Sequence, residues 1–257
     1  MNHKSRAEIS PRRLQTELIA IQTKQLIVAG MVTLIFSALA RAVRGVSRFG
    51  MMAGAAVCFL LVACAGMGAF AALLTVFVLA WLTTKIGYQR KQRLGTAERK
   101  DGRNASQVLA NLAIPAACAA LYGFTGRTMF LVAMAAALAE AAADTVSSEV
   151  GQTIGGNPRL ITTWQQVSPG TDGAISAAGT AVGLAGALVV SAVCIAVRLI
   201  GISAATVVFS SGVIGMFADS LLGAWLELRG TMNNDAVNFV STIIAAIFAA
   251  GASLLLS

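Results

Sequence analysis

The chain has 257 residues, 57% of them hydrophobic and 12% charged, with a formal net charge of +8 and a mean hydropathy of +0.77. Soluble domains of this length sit nearer about 45–50% apolar, so a water-soluble enzyme is excluded, and the lack of period-two alternation excludes an outer-membrane barrel. Cys58, Cys64, Cys118 and Cys194 all lie in apolar runs without a CxxC, and His3 is the one histidine, which argues against a disulfide framework or a zinc site.

Residues 1–17 form a polar, basic tail. Residues 18–257 read as one all-α polytopic transmembrane bundle with about eight hydrophobic segments, seven to eight of them spanning: 18–40, 49–65, 67–84, 106–123, 128–148, 173–199, 202–226 and 236–256. The first segment is the weakest. Ala38-Leu39-Ala40 also resembles a signal-peptidase site, but cleavage there would leave Arg41, Arg44 and Arg48 outside, against the charge rule. Polar motif loops are expected at 85–105, 149–172 and 227–235.

Seven basic residues lie between Lys85 and Arg103, and five more in the first 24 residues. A basic block can bind nucleic acid, but topology explains this one more simply, and no nucleic-acid partner is expected. If every segment crosses, the side holding the motif loops carries twelve Lys and Arg against seven opposite. That side is expected to be cytoplasmic, in the cell inner membrane.

Four polar clusters interrupt the apolar pattern on that side. In the first, Arg99, Lys100 and Arg103 precede a helix on which Asn104, Gln107 and Asn111 share one face, an arrangement that suits an anion. In the second, Glu140, Asp144 and Ser148 are spaced by four, followed by Glu149. Carboxylates inside an apolar helix cost at least ~2.5 kcal/mol each on insertion scales. They need partners: a metal, a proton relay, or a structural pairing with Arg127 or Arg198. The third is the turn Ser168-Pro169-Gly170-Thr171-Asp172-Gly173, running into Ser176, Gly179 and Thr180. Its glycines, hydroxyls and N–H groups suit an anion, although many turns before helices look like this. The fourth places Asp219, Ser220, Gly223 and Glu227 on one helix, followed by Asn233, Asn234 and Asn238. Carboxylates on two helices, a basic loop and an anion-binding turn are the parts of metal-assisted phosphoryl transfer.

These motifs resemble an integral membrane family that includes the plant chloroplast phytyl-phosphate kinase. The resemblance rests on Gly102-Arg103-Asn104-Ala105-x-Gln107-Val108-Leu109-Ala110-Asn111, Ala143-Asp144-Thr145-x-x-Ser148-Glu149-x-Gly151, Pro169-Gly170-Thr171-x-Gly173-x-x-Ser176, Asp219-Ser220-Leu221-Leu222-Gly223 and Asn234-x-x-Val237-Asn238. It covers roughly residues 85–240 in the family's order, with Asp172 where the family often has Asn and Glu227 where it often has Gln. A shorter, looser similarity to CTP-dependent dolichol and phytol kinases suggests CTP as donor. The resemblance implies a membrane kinase that converts an isoprenoid monophosphate to the diphosphate. On this reading Asp144, Asp219 and Arg103 are catalytic, and Asp144, Glu149 and Asp219 hold Mg2+. Arg99, Lys100, Asn104, Gln107, Asn111, Ser168, Gly170, Thr171, Gly173, Ser176, Asn234 and Asn238 bind the phosphates. The rival expectations are a cation- or proton-coupled transporter and a lipid-phosphate cytidylyltransferase.

Overall fold

The computed structural model describes residues 11–154 and 156–255; residues 1–10, with His3 and most of the expected tail, lie outside them. The described chain is a polytopic all-α bundle. Its helices are α1 (Pro11–Ala42), α2 (Arg48–Lys85), the short α3 (Tyr88–Leu94), α4 (Ala105–Thr125), α5 (Thr128–Ile154), α6 (Ala177–Ala196), α7 (Ile202–Leu222) and α8 (Asn234–Leu255). A π-helical turn, Gly223–Glu227, extends α7. Seven of these helices are long and apolar enough to cross a membrane. Between α5 and α6, β1 (Arg159–Leu160) pairs antiparallel with β2 (Ala174–Ile175). The expected sixth segment therefore starts late: residues 173–175 belong to a turn and a strand, and the helix opens at Ala177.

The 38 residues of α2 would reach about 57 Å as a straight rod, nearly twice a hydrocarbon core of about 30 Å. Gly66 resolves this length. Its φ of 78° and ψ of −169° are open essentially to glycine alone, and they break the helix into 48–65 and 67–85. Both outer ends lie with the motif loops: Gly50 packs on the Arg103 carbonyl, and Thr84 donates a hydrogen bond to Glu149. The middle lies at the other end, where Cys64 meets Gly123 at the end of α4 and Gly68 meets Leu199 between α6 and α7. So α2 is a hairpin of two crossing halves, and the eight expected segments are all present.

The bundle is organised around α5. Every residue from Leu131 to Ala143 is buried, as expected for a helix apolar all round and surrounded by neighbours. Its alanines let adjacent backbones come close. A Cβ placed on Gly183 of α6 would lie 3.0 Å from the Ala143 carbonyl and 2.5 Å from Met216 Sδ of α7. By contrast α1 is peripheral: its apolar window is 17% buried against 83% for α5. Packing around α5 fixes the polarity of the site. α4, α6 and α8 begin at the motif-loop end, turning their positive N-termini toward it, while α5 and α7 bring their C-terminal carboxylates there.

Candidate functional site

At that end the helices enclose a polar cavity of about 320 Å3. It gathers residues from all four clusters: Arg103, Gln107 and Asn111 from α4 and its approach, Asp144 and Glu149 from α5, Gly170, Thr171, Gly173 and Ser176 from the turn, Asp219 from α7, and Asn234 and Asn238 from α8. The turn is held against the end of α7. Gly173 has φ of 72°, and a Cβ there would lie 2.4 Å from the Ala224 nitrogen. Gly170, at φ of 88°, packs on the Thr96 methyl. Burial in this fold raises the Asp172 carboxyl above its ordinary value.

The central feature is a pair of facing carboxyl groups. Asp144 and Asp219, from two different helices, come within hydrogen-bonding reach of each other. Arg103 is the cation whose charge acts on Asp144. Behind them, Ser241 Oγ hydrogen-bonds Glu140 Oε1 at 2.7 Å and Asp219 Oδ2 at 3.3 Å. Glu140 is 1% exposed, and its Oε2 has no partner. Arg127 and Arg198 sit in the loops at the opposite end, so they do not pair with these acids. Two adjoining carboxylates need a shared proton or a cation. Around the cavity, Asn111 Oδ1, Thr96 Oγ1 and Gln152 Oε1 are also buried without partners. Pro115 removes the N–H that would have bonded the Asn111 backbone carbonyl. Unmatched oxygens beside paired carboxylates fit a divalent cation such as Mg2+, which takes one or two carboxylates and completes its shell from phosphate and water.

Glu149, expected beside these aspartates as a third metal ligand, is otherwise engaged. Its Oε2 accepts from Lys91 Nζ at 2.5 Å and its Oε1 from Thr84 Oγ1 at 2.9 Å. Among the described residues no group of three His, Cys, Asp or Glu is spaced to hold a metal. Other expected phosphate ligands also serve the backbone. Asn104 and Gln107 form a reciprocal capping box at the start of α4, and Gln107 Nε2 reaches Glu98 at 3.0 Å. Ser176 caps α6 through Gly179 N, the Ser168 carbonyl accepts from Thr171 Oγ1, and Asn238 Nδ2 donates to the Asn234 carbonyl. Neither Ser168 nor Asn104 lines the main cavity; Asn104 borders a smaller cleft.

Arg99 and Lys100 face a second space, an apolar groove of about 440 Å3 between α1, both halves of α2 and α4. Its basic rim adds Arg44 and Lys85, the latter over the Trp81 ring at 3.3 Å. Glu98, Arg103, Gln107, Asn111 and Thr145 line both spaces, so groove and polar cavity share a wall. Sequence reading missed Lys91, Thr84 and Ser241, and gave no role to Thr96 and Glu98 in the first polar cluster. Lys91 was hidden in a basic run, and a lone serine in α8 gives no signal.

The model of the family described as integral membrane protein DUF92 matches residues 31–246, and the chain belongs to that family of integral membrane proteins. An uncharacterized membrane protein of Methanocaldococcus jannaschii is 37% identical over 180 residues, covering 68% of this chain and 72% of its own. One from Synechocystis is 31% identical over 193 residues, covering 72% and 74%. Protein VTE6, chloroplastic, of Arabidopsis thaliana is 29% identical over 194 residues, covering 72% of this chain and 58% of its own. No solved structure matches the chain.

Proposed function

We propose that the chain is a membrane kinase that transfers the terminal phosphoryl group of a nucleoside triphosphate, CTP by the motif resemblance, to an isoprenoid monophosphate. The observation that carries this reading is the shared wall. A polar cavity with two facing carboxylates and three helix N-termini adjoins an apolar groove with a basic rim. Asp144 and Asp219 would hold Mg2+, which when bound offsets charge on the donor phosphates. Arg103, in the wall, neutralises the acceptor phosphate and draws it toward the aspartates. The turn at Gly170–Gly173 and the α6 N-terminus receive the donor's anionic end. An acceptor oxygen attacks the terminal phosphorus, the bond to the bridging oxygen breaks, and the nucleoside diphosphate leaves. No general base is required, because the acceptor oxygen is already anionic. The excess of Lys and Arg on the motif side supports placing this face in the cytoplasm.

The test offers the purified protein γ-labelled CTP, Mg2+ and a panel of isoprenyl monophosphates. Label recovered in a lipid diphosphate is the expected result. Released pyrophosphate would mean cytidylyl transfer. The Glu140–Ser241–Asp219 chain gives cation- or proton-coupled transport its one specific support. No reaction together with ion-driven uptake into vesicles would establish that reading instead.

A further inference from the structure

The groove adjoining the polar cavity has features that a generic helix interface does not need. It is apolar along its length and cationic at one end only, where Arg44, Lys85, Arg99, Lys100 and Arg103 converge. Among the described residues, none of these five makes a salt bridge; Arg41 takes Asp101 and Lys91 takes Glu149. About two turns below Arg44 on α1, Phe36 stands edge-to-face with Phe70 at 5.4 Å and with Phe77, which packs against Gly45 nearer the rim, at 5.3 Å between ring centroids. The outer wall is α1, which packs chiefly on α2 and turns Leu34, Ile35 and Leu39 away from the protein. A ligand with a chain and one terminal anion matches this distribution from end to end.

We propose that the groove seats the hydrocarbon chain of a single-chain phosphate monoester, entering from the bilayer beside α1, with Phe36 and Leu73 closing its deep end and limiting chain length. The inference rests on the kinase reading for the fate of the phosphate, not for the seat of the chain. A monoester carries its charge at the very tip. With the chain in the groove, that tip reaches the wall formed by Arg103, Gln107 and Asn111, beyond which lies the polar cavity. A diacyl phospholipid, with its charge at a branch point between two chains, does not match a groove whose far wall opens on a second site.

Gly54 provides a clean probe. It lines the groove, and a Cβ there meets nothing within 4 Å, so a larger residue has room to start into the groove. The experiment measures displacement of a photoreactive alkyl phosphate from the purified full chain by geranyl, farnesyl and geranylgeranyl phosphate, and by phosphatidic acid. Gly54→Phe should weaken geranylgeranyl phosphate by about tenfold, the value of two lost methylene contacts, and leave geranyl phosphate almost unchanged. Phe36→Ala should shift the preference toward longer chains, and it carries the test alone if Gly54→Phe does not fold. Equal effects on short and long chains, or displacement by phosphatidic acid as effective as by the monoesters, overturns the proposal. Chain-length-dependent binding without phosphoryl transfer leaves the groove standing and removes the kinase reading. Transfer to every chain length, unaffected by either variant, does the reverse.

Discussion

Two carboxylate arrangements lie little more than one turn apart on α5, and they are opposites. Glu149 is saturated: both oxygens are taken, by a lysine that is itself fully buried and by a threonine. Lys91 Nζ also donates to the Thr83 and Thr84 carbonyls, so the pair ties α3 to α2 and α5. Asp144 instead faces a second aspartate. A neutral, fully hydrogen-bonded pair is complete within the protein. Two adjoining carboxyl groups are complete only with a shared proton or a cation between them. Sequence placed all three acids in one metal site; geometry divides them into a brace and a candidate reaction centre.

Breaking the brace should have the largest effect. Lys91→Met leaves the Glu149 carboxylate without its counter-charge, and removal of one partner of a buried pair costs about 3–5 kcal/mol. The expected result is a large loss of thermal stability in detergent. Adding Glu149→Gln to Lys91→Met should recover most of it, because the lone charge is then gone. A double variant as unstable as the single would mean that Lys91 acts through its backbone hydrogen bonds rather than through charge.

Asp144→Asn probes the other arrangement with the opposite signature. The amide keeps the shape and most of the hydrogen bonding, and burying it is cheaper than burying an uncompensated charge, so the fold should hold. Turnover should fall by ~10²-fold, equivalent to about 2.7 kcal/mol, with the Mg2+ dependence shifted to higher concentration. Wild-type transfer with an unchanged Mg2+ curve would make Asp144 structural. A proton-relay transporter would lose transport with no Mg2+ dependence at all.

The wall between the two spaces allows a smaller contrast between two cations. Arg103→Ala should weaken lipid-phosphate binding by about tenfold, the scale of one charge-assisted hydrogen bond. Lys85→Ala should do less, since Lys85 rests on Trp81 and reaches only the rim of the groove. Equal, small effects in a titration with an isoprenyl phosphate would return the whole basic loop to a topological role.

The crossing pattern was legible because each segment's apolar length stands out against its flanks, and even the break between 49–65 and 67–84 fell on Gly66, whose left-handed backbone makes the turn. The convergence of the four clusters was legible too, since alternate crossings bring every second loop to one end. Which polar atom meets which was not. Lys91 and Glu149 are 58 residues apart, and their meeting depends on how α3 lies on the bundle. Asn104, Gln107 and Ser176 carry ligand-like side chains, yet helix starts need the same groups as caps. The groove was invisible for a related reason: the apolar faces of α1 and α2 that line it have the same composition as those that meet lipid.

The smallest effect concerns Asp172, which lies in the turn outside the crossing helices and lines the same cavity as Glu227. Burial raises its folded-state value above the ordinary one. An acid with a raised folded value binds its proton more readily when folded than when unfolded. It therefore costs no stability below the unfolded value, about 3.9, and opposes folding increasingly as pH rises from there through the folded value. Asp172→Asn removes that opposition. At neutral pH the variant should melt slightly higher than wild type, by about 1 °C, because the group is more exposed than buried and solvent screens most of the effect. The two melting curves should converge as pH falls toward 4. A difference that is constant with pH would assign the gain to hydrogen bonding in the turn. A variant that is less stable at neutral pH would mean that the Asp172 charge is compensated, with the turn already receiving a cation at its open side.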